Sequence, residues 1–223
     1  MAEKLTERLR RTVAPLWDAQ HRHPFVRGIG EGTLDLERFK FWVRQDYVFL
    51  IEYARVVALA AARSPELRTI AKFATLLSET VNTEMRLHRA YAAEFGISTT
   101  ELEHEIPAPS TRAYADFLLR VASTGDYAEL VAALVPCMWG FSEIGLRLAK
   151  LPTPADQRYA KWIAMYASPE FAELARWCRE LLDEVAAGLP ERQWAHLEEI
   201  FLTSSRYEWQ FWEMAWKQER WPV

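Results

Sequence analysis

Apolar residues along this chain return at every third or fourth position rather than every second, in blocks long enough for helices and separated by short polar or proline-bearing breaks. In the block ERFKFWVRQDYVFLIEYARVVALAAAR, Trp42, Asp46, Phe49 and Tyr53 fall at steps of four, three and four, so they share one helix face. Asp35 stands just ahead of that block, where its carboxylate can accept from free amides of the first turn. The same logic predicts a first helix from about Ala2 to Gln20, bent at Pro15, and then a loop over HRHPFVRGIGEGTL. A cap followed by proline at Ser64 to Leu67 opens the next helix, which Gly96 ends, and STTE at Ser98 to Glu101 is a capping box for a short turn. Helices are then predicted over Ser110 to Ser123, Tyr127 to Lys150, Ala155 to Ala167, Pro169 to Ala187 and Pro190 to Glu219. No block alternates as a strand would, the connections are short, and nothing reads as an interdomain linker or a repeat. The expectation is an all-α, single-domain helical bundle over residues 1–223.

Three polar features interrupt the apolar pattern. The stretch ELVAALVPCMWGFSEIG is an almost unbroken apolar run, yet it holds Pro136 followed by Cys137. A proline there removes one backbone hydrogen bond and its ring presses on the carbonyl near Ala132, which predicts a kink costing about 3 kcal/mol. Cys137 is then either a small hydrophobe of the core or a thiol projecting into a cavity, with Phe141 one turn on lining the same wall. Asp46 within its aromatic stripe lies either at a solvated edge or buried with a donor, since an unpaired buried carboxylate is costly. The last helix repeats the theme, with Phe201, Ser205, Glu208, Phe211 or Trp212, and Ala215 forming a stripe that carries one glutamate. A salt-bridged helix edge accounts for either acid taken singly and less well for both together. Cys178 reads as inert packing, and Glu143, off the Cys137 face, as structural or interfacial.

Composition narrows the classes. Half of the 223 residues are hydrophobic, enough for a sizeable core, and the formal charge of −4 offers no basic footprint for nucleic acid and no polybasic membrane anchor. Two cysteines without a CxxC pair fit a reducing compartment better than a disulfide framework. No apolar block marks a signal peptide and no apolar run approaches the roughly 18 residues of a membrane span, so a soluble cytoplasmic protein is expected. The glycines of GIGEG resemble a phosphate loop, but no strand precedes them and the third is wrongly spaced, so they read as a mobile turn between the first two helices.

The segments HPFV with GTL, FKFWVRQDYVFL, EMRLH, AYADFL, LVPCMWGFSEIG, YASPEF and FLTSSRYEWQFWEMAW resemble, in order and spacing, those of the TenA family, also called thiaminase II, over nearly the whole chain. The resemblance implies a heme-oxygenase-like helical fold, usually a homotetramer, and a metal-independent, cofactor-free hydrolase acting on aminopyrimidines in thiamin salvage. The typical reaction converts 4-amino-5-aminomethyl-2-methylpyrimidine to the hydroxymethyl pyrimidine with release of ammonia, and many members also split thiamin. Residue by residue, it implies Cys137 as nucleophile, Glu208 as acid/base, and Asp46 as the hydrogen-bonding partner of the aminopyrimidine. Tyr114 and Tyr166 match pocket tyrosines and Phe211 a ring-stacking phenylalanine. Phe49 and Phe141 stand where the family usually carries tyrosine, so the aromatic walls are kept and two hydroxyls are missing. A hydrogen bond of that kind contributes about 0.5–1.5 kcal/mol and about 1.36 kcal/mol is tenfold in rate, which makes weakened or redirected catalysis one expectation.

Other classes fit less well. His88, four residues after Glu84, has the spacing of a metal-ligand pair, but the five histidines supply no second half of a di-iron pattern. His23 before Pro24 is read as part of a structural loop rather than a heme ligand. A regulatory protein contacting DNA lacks a basic recognition helix, which leaves a catalytically weak pyrimidine binder as the alternative to the hydrolase.

Overall fold

The computed structural model describes residues 3–223, and among them every regular element is helical. In chain order these are α1 (Leu5–Thr12), α2 (Ala14–His21), α3 (Pro24–Glu31), α4 (Leu36–Arg63), α5 (Leu67–Ser78) and α6 (Met85–Glu94). There follow α7 (Thr99–Glu103), α8 (Pro109–Thr124), α9 (Tyr127–Leu148), α10 (Gln157–Tyr166), α11 (Pro169–Ala186) and α12 (Glu191–Lys217). The all-α expectation holds, and the predicted capping chemistry recurs at two places. Asp35 accepts from the amide of Arg38 at 3.1 Å, and Ser98 and Glu101 form a reciprocal capping box.

Four expectations are corrected. The predicted first helix is two: the backbone departs from helix geometry at Val13, because Pro15 has no amide to continue the ladder and instead occupies the first turn of α2. Its predicted start at Ala2 lies outside the described residues. The predicted loop is largely α3, which His23 caps by accepting from the amide of Phe25 at 3.2 Å. Its glycines serve close packing rather than mobility: a Cβ on Gly28 would lie 3.0 Å from the Leu34 backbone, and one on Gly30 would lie 2.7 Å from Leu148. Only Gly32, at φ 70°, ends the helix in the left-handed region. Ser64 does not start a helix but closes α4, its hydroxyl donating to the Ala60 carbonyl at 2.7 Å, and α5 begins at Leu67. Finally, α9 does have the length and hydropathy of a membrane span; 78% of that window is buried within the protein, which is why so apolar a helix is tolerated here.

The chain divides into two compact units. Residues 3–34 and 128–212 form the first, which holds α1 to α3, α10, α11, nearly all of α9 and most of α12. Its core is built from Trp17, Phe25, Trp162, Phe201 and Trp212, each at most 2% exposed. Thr6 of α1 bonds Asp183 of α11 through both its amide and its hydroxyl at 2.9 Å, and Arg8 reaches Glu198 of α12 at 2.7 Å. Residues 35–127 and 213–223 form the second unit, in which α4 packs against α5, α6 and α8. Here Phe39, Trp42, Tyr47, Tyr53 and Tyr91 fill the core. Between α5 and α6 the backbone widens into π turns over Glu79–Glu84. The C-terminal tail is tied down by the Trp221 indole, which donates to the Pro107 carbonyl at 2.9 Å.

Candidate active site

In the first unit, three contacts set the register of α9 against α12. His196 meets Glu129 at 2.7 Å, the Ser204 hydroxyl donates to the Ala133 carbonyl at 2.7 Å, and the rings of Trp212 and Phe141 lie 5.0 Å apart. The partners advance together along both helices, so these run parallel. Cys137 is midway between 133 and 141, and Glu208 is midway between 204 and 212. Residues four apart share a helix face, so the thiol and the carboxyl group stand level on facing stripes. Both are buried, at 8% and 2% exposure. The Ser204 bond lands one turn before Cys137, beside the carbonyl that Pro136 leaves without its usual donor. It fixes the two helices at the level where chemistry would need them fixed. α9 is continuous through Pro136.

An aromatic wall lines the same stretch. Phe141 lies 4.9 Å from Tyr166, and Tyr166 lies 4.5 Å from Trp162 and 5.1 Å from Phe171. Gly145 makes this possible, because a Cβ there would stand 2.4 Å from the carbonyl carbon of Tyr166. Only a glycine lets the end of α10 approach α9 so closely. Phe211 is buried at 3% one turn beyond Glu208, while Trp212, the other candidate of that stripe, is the ring that meets Phe141.

The remaining predicted residues belong to the second unit. Asp46, Phe49 and Tyr53 are all buried along α4, and Phe49 stacks on Tyr114 of α8 with centroids 4.8 Å apart. Of the two alternatives for Asp46, the structure selects burial with a partner. His88 Nε2 lies 2.7 Å from Asp46 Oδ2, an ion-pair contact bent away from the ideal N–H direction, with His88 wholly buried. The other ring nitrogen of His88 is 3.0 Å from the Glu84 carbonyl at the end of the π turns, which orients the imidazole. Burial opposes a charged imidazole, but the close contact with Asp46 and its negative charge, with the Glu84 carbonyl, outweigh it and raise the His88 pKa above its ordinary value.

His88 is the residue to which sequence reasoning gives no role once the metal-ligand spacing from Glu84 is set aside. Its link to Glu84 is to the backbone carbonyl, and its side-chain partner is 42 positions away, beyond any local pattern. Other features serve structure. Glu143 pairs with Arg10 at 2.7 Å, and Cys178 is packed so deeply that burial pushes its thiol pKa up to about 12. Two open hollows of about 640 and 590 Å³ lie elsewhere, one in each unit, and none of the eight candidate residues lines either.

Comparison with known proteins follows the same lines. The TENA/THI-4/PQQC family matches residues 10–218. The chain is 48% identical over 208 residues to a protein of Halalkalibacterium halodurans named aminopyrimidine aminohydrolase, covering 93% of each. Among solved structures, a TenA homologue from P. horikoshii OT3 superposes with a TM-score of 0.88 at 30% identity, over 96% of this chain and 99% of that one. A protein of Shewanella denitrificans described as having a heme oxygenase-like fold superposes at 0.72 with 16% identity, over 98% and 94%, a likeness of fold alone. The predicted heme-oxygenase-like fold is thereby shown, and this chain belongs to the TENA/THI-4/PQQC family.

Proposed function

We propose that this protein is an aminopyrimidine aminohydrolase of the thiaminase II type. On this reading it converts 4-amino-5-aminomethyl-2-methylpyrimidine and water to the hydroxymethyl pyrimidine and ammonia, in thiamin salvage and as a homotetramer. The observation that carries it is the α9–α12 register, which sets one thiol and one carboxyl group level and buried beside an aromatic wall. The likeness to named aminopyrimidine aminohydrolases supplies the substrate class.

Cys137 adds through sulfur to an electron-poor ring carbon, which lets the C–N bond of the exocyclic methylene break with its electron pair leaving on nitrogen. Water then adds to the methylene and the C–S bond breaks to restore the ring. Glu208 moves the protons, accepting the thiol hydrogen, passing one to the departing amine and later taking one from water. A carboxylate cannot stabilise a thiolate by charge, so the two groups share a proton rather than ionise together. Asp46 holds the aminopyrimidine edge, and His88 holds Asp46 in place. Phe141, Tyr166 and Phe211 within the first unit, and Phe49 and Tyr114 within the second, each offer the flat apolar faces that a heteroaromatic ring prefers.

Ammonia release from the aminomethyl pyrimidine, and thiazole release from thiamin, measure the activity directly. Cys137→Ser is expected to abolish both while ligand binding persists; full turnover by that variant removes the nucleophile. The second reading is a pyrimidine binder of weak catalysis, favoured by the stacked Phe49 and the enclosed Phe141, which carry no hydroxyl. Tight binding of either compound without turnover selects it.

A further inference from the structure

Gln20, at the end of α2, is 2% exposed, and its side-chain oxygen has no hydrogen-bond partner among the described residues. Leaving a buried acceptor unmatched is unfavourable, and such atoms in folded proteins call for a reason. The position of Gln20 suggests one. Trp17 donates its indole N–H to Ser205 at 3.2 Å, the His23 and Trp209 rings are 5.8 Å apart, and those of Phe25 and Trp212 are 5.6 Å apart. These contacts climb α12 in step with the chain from α2 into α3. Gln20 lies between 17 and 23, and Glu208 between 205 and 209, so the two share a level. From the other side, the Gln20 amide nitrogen is 3.5 Å from where a Cβ on Gly140 would stand, and Gly140 is one turn beyond Cys137 and adjacent to Phe141. A longer side chain at 140 would contend with Gln20 for this space.

We propose that Gln20 is a specificity-determining residue, its buried carbonyl oxygen accepting an N–H of the amine that leaves the pyrimidine methylene. The inference rests on the proposed aminohydrolase reading and extends it. As the C–N bond breaks with its electron pair going to nitrogen and a proton arrives from Glu208, the departing group carries three N–H donors. Glu208 can accept from one, and a neutral carbonyl at the same level can accept from another without adding a second buried negative charge. A thiazolium leaving group has no N–H on the nitrogen that departs, so the same oxygen gives it nothing. Gln20 therefore favours amine-bearing substrates over thiamin. It also supplies polar character beside Phe141, where a tyrosine hydroxyl is missing.

The test compares wild type with Gln20→Met, which keeps the length and removes the acceptor, and Gln20→Asn, which keeps the amide and withdraws its oxygen. Thermal melts verify folding of each. The ratio of kcat/KM for the aminomethyl pyrimidine to that for thiamin is expected to fall about tenfold in both variants, equivalent to about 1.4 kcal/mol of differential stabilisation. In parallel, calorimetry gives the Kd of the aminomethyl pyrimidine relative to the 5-methyl pyrimidine that lacks the amine, and the wild-type preference is expected to shrink. Absence of ammonia release by wild type would overturn the proposed reaction and leave the Kd comparison to decide Gln20. An amine preference equal in wild type and both folded variants would overturn the inference.

Discussion

At the scale of single residues, Asp46 and His88 illustrate how burial converts a charge into a stability term. Removing one partner of a buried pair leaves the other charged and unmatched, which costs about 3–5 kcal/mol, so His88→Ala is expected to lower the urea midpoint sharply. The pH dependence has a definite sign. The folded-state pKa of His88 is raised, so its contribution is fully present below the unfolded value near 6.5 and is lost as pH rises through the folded value. The stability gap between wild type and His88→Gln should therefore be wider at pH 5 than at pH 9, and urea titrations at the two values measure it. A gap that widens with pH would mean that Asp46 and His88 do not pair as an anion and a cation. On the proposed mechanism, Glu208→Gln should cut ammonia release by about 100-fold or more, the usual contribution of a positioned acid/base, with binding retained.

At the scale of elements, the site depends on how closely helices approach. Gly145 sits inside α9, where alanine would ordinarily stabilise a helix by about 1 kcal/mol. Here the added Cβ would lie 2.4 Å from the Tyr166 backbone, and a backbone obstacle cannot rotate away. Overpacking of this kind costs about 1–3 kcal/mol, so the packing term wins and Gly145→Ala should be destabilised on balance. It should also lose activity, because the displaced end of α10 carries Tyr166. A melt and a rate measurement on one sample test both, and a variant more stable than wild type would refute the contact. Much of this level was legible beforehand. The stripes of α4 and α12 were readable because a 3.6-residue period lines up Trp42, Asp46, Phe49 and Tyr53, and likewise Phe201, Ser205 and Glu208, with no knowledge of the neighbours. The α3 helix and the role of Ser64 were misjudged, because local signals there are outweighed by contacts with Leu34, Leu148 and Tyr127, whereas the break at Val13 follows from the local effect of Pro15.

At the scale of the whole molecule, burial decides which reactive groups are available. Cys178 is 1% exposed with its thiol pKa pushed up to about 12, so it should resist iodoacetamide in the native protein at pH 8 and react only on unfolding. Mass spectrometry of alkylated peptides with and without denaturant measures this, and rapid native labelling would contradict the packing. The helical class, the caps at Asp35 and Ser98 and the two acid-bearing stripes follow from the sequence alone, because periodicity and capping are local properties of the chain. Only the tertiary structure decided that Glu208 stands level with Cys137, that His88 answers Asp46, and that Gln20 keeps an unmatched oxygen beside Gly140. Each of these joins residues dozens to more than a hundred positions apart, and their proximity is set by the packing of large side chains around glycines, a quantity that no local pattern encodes.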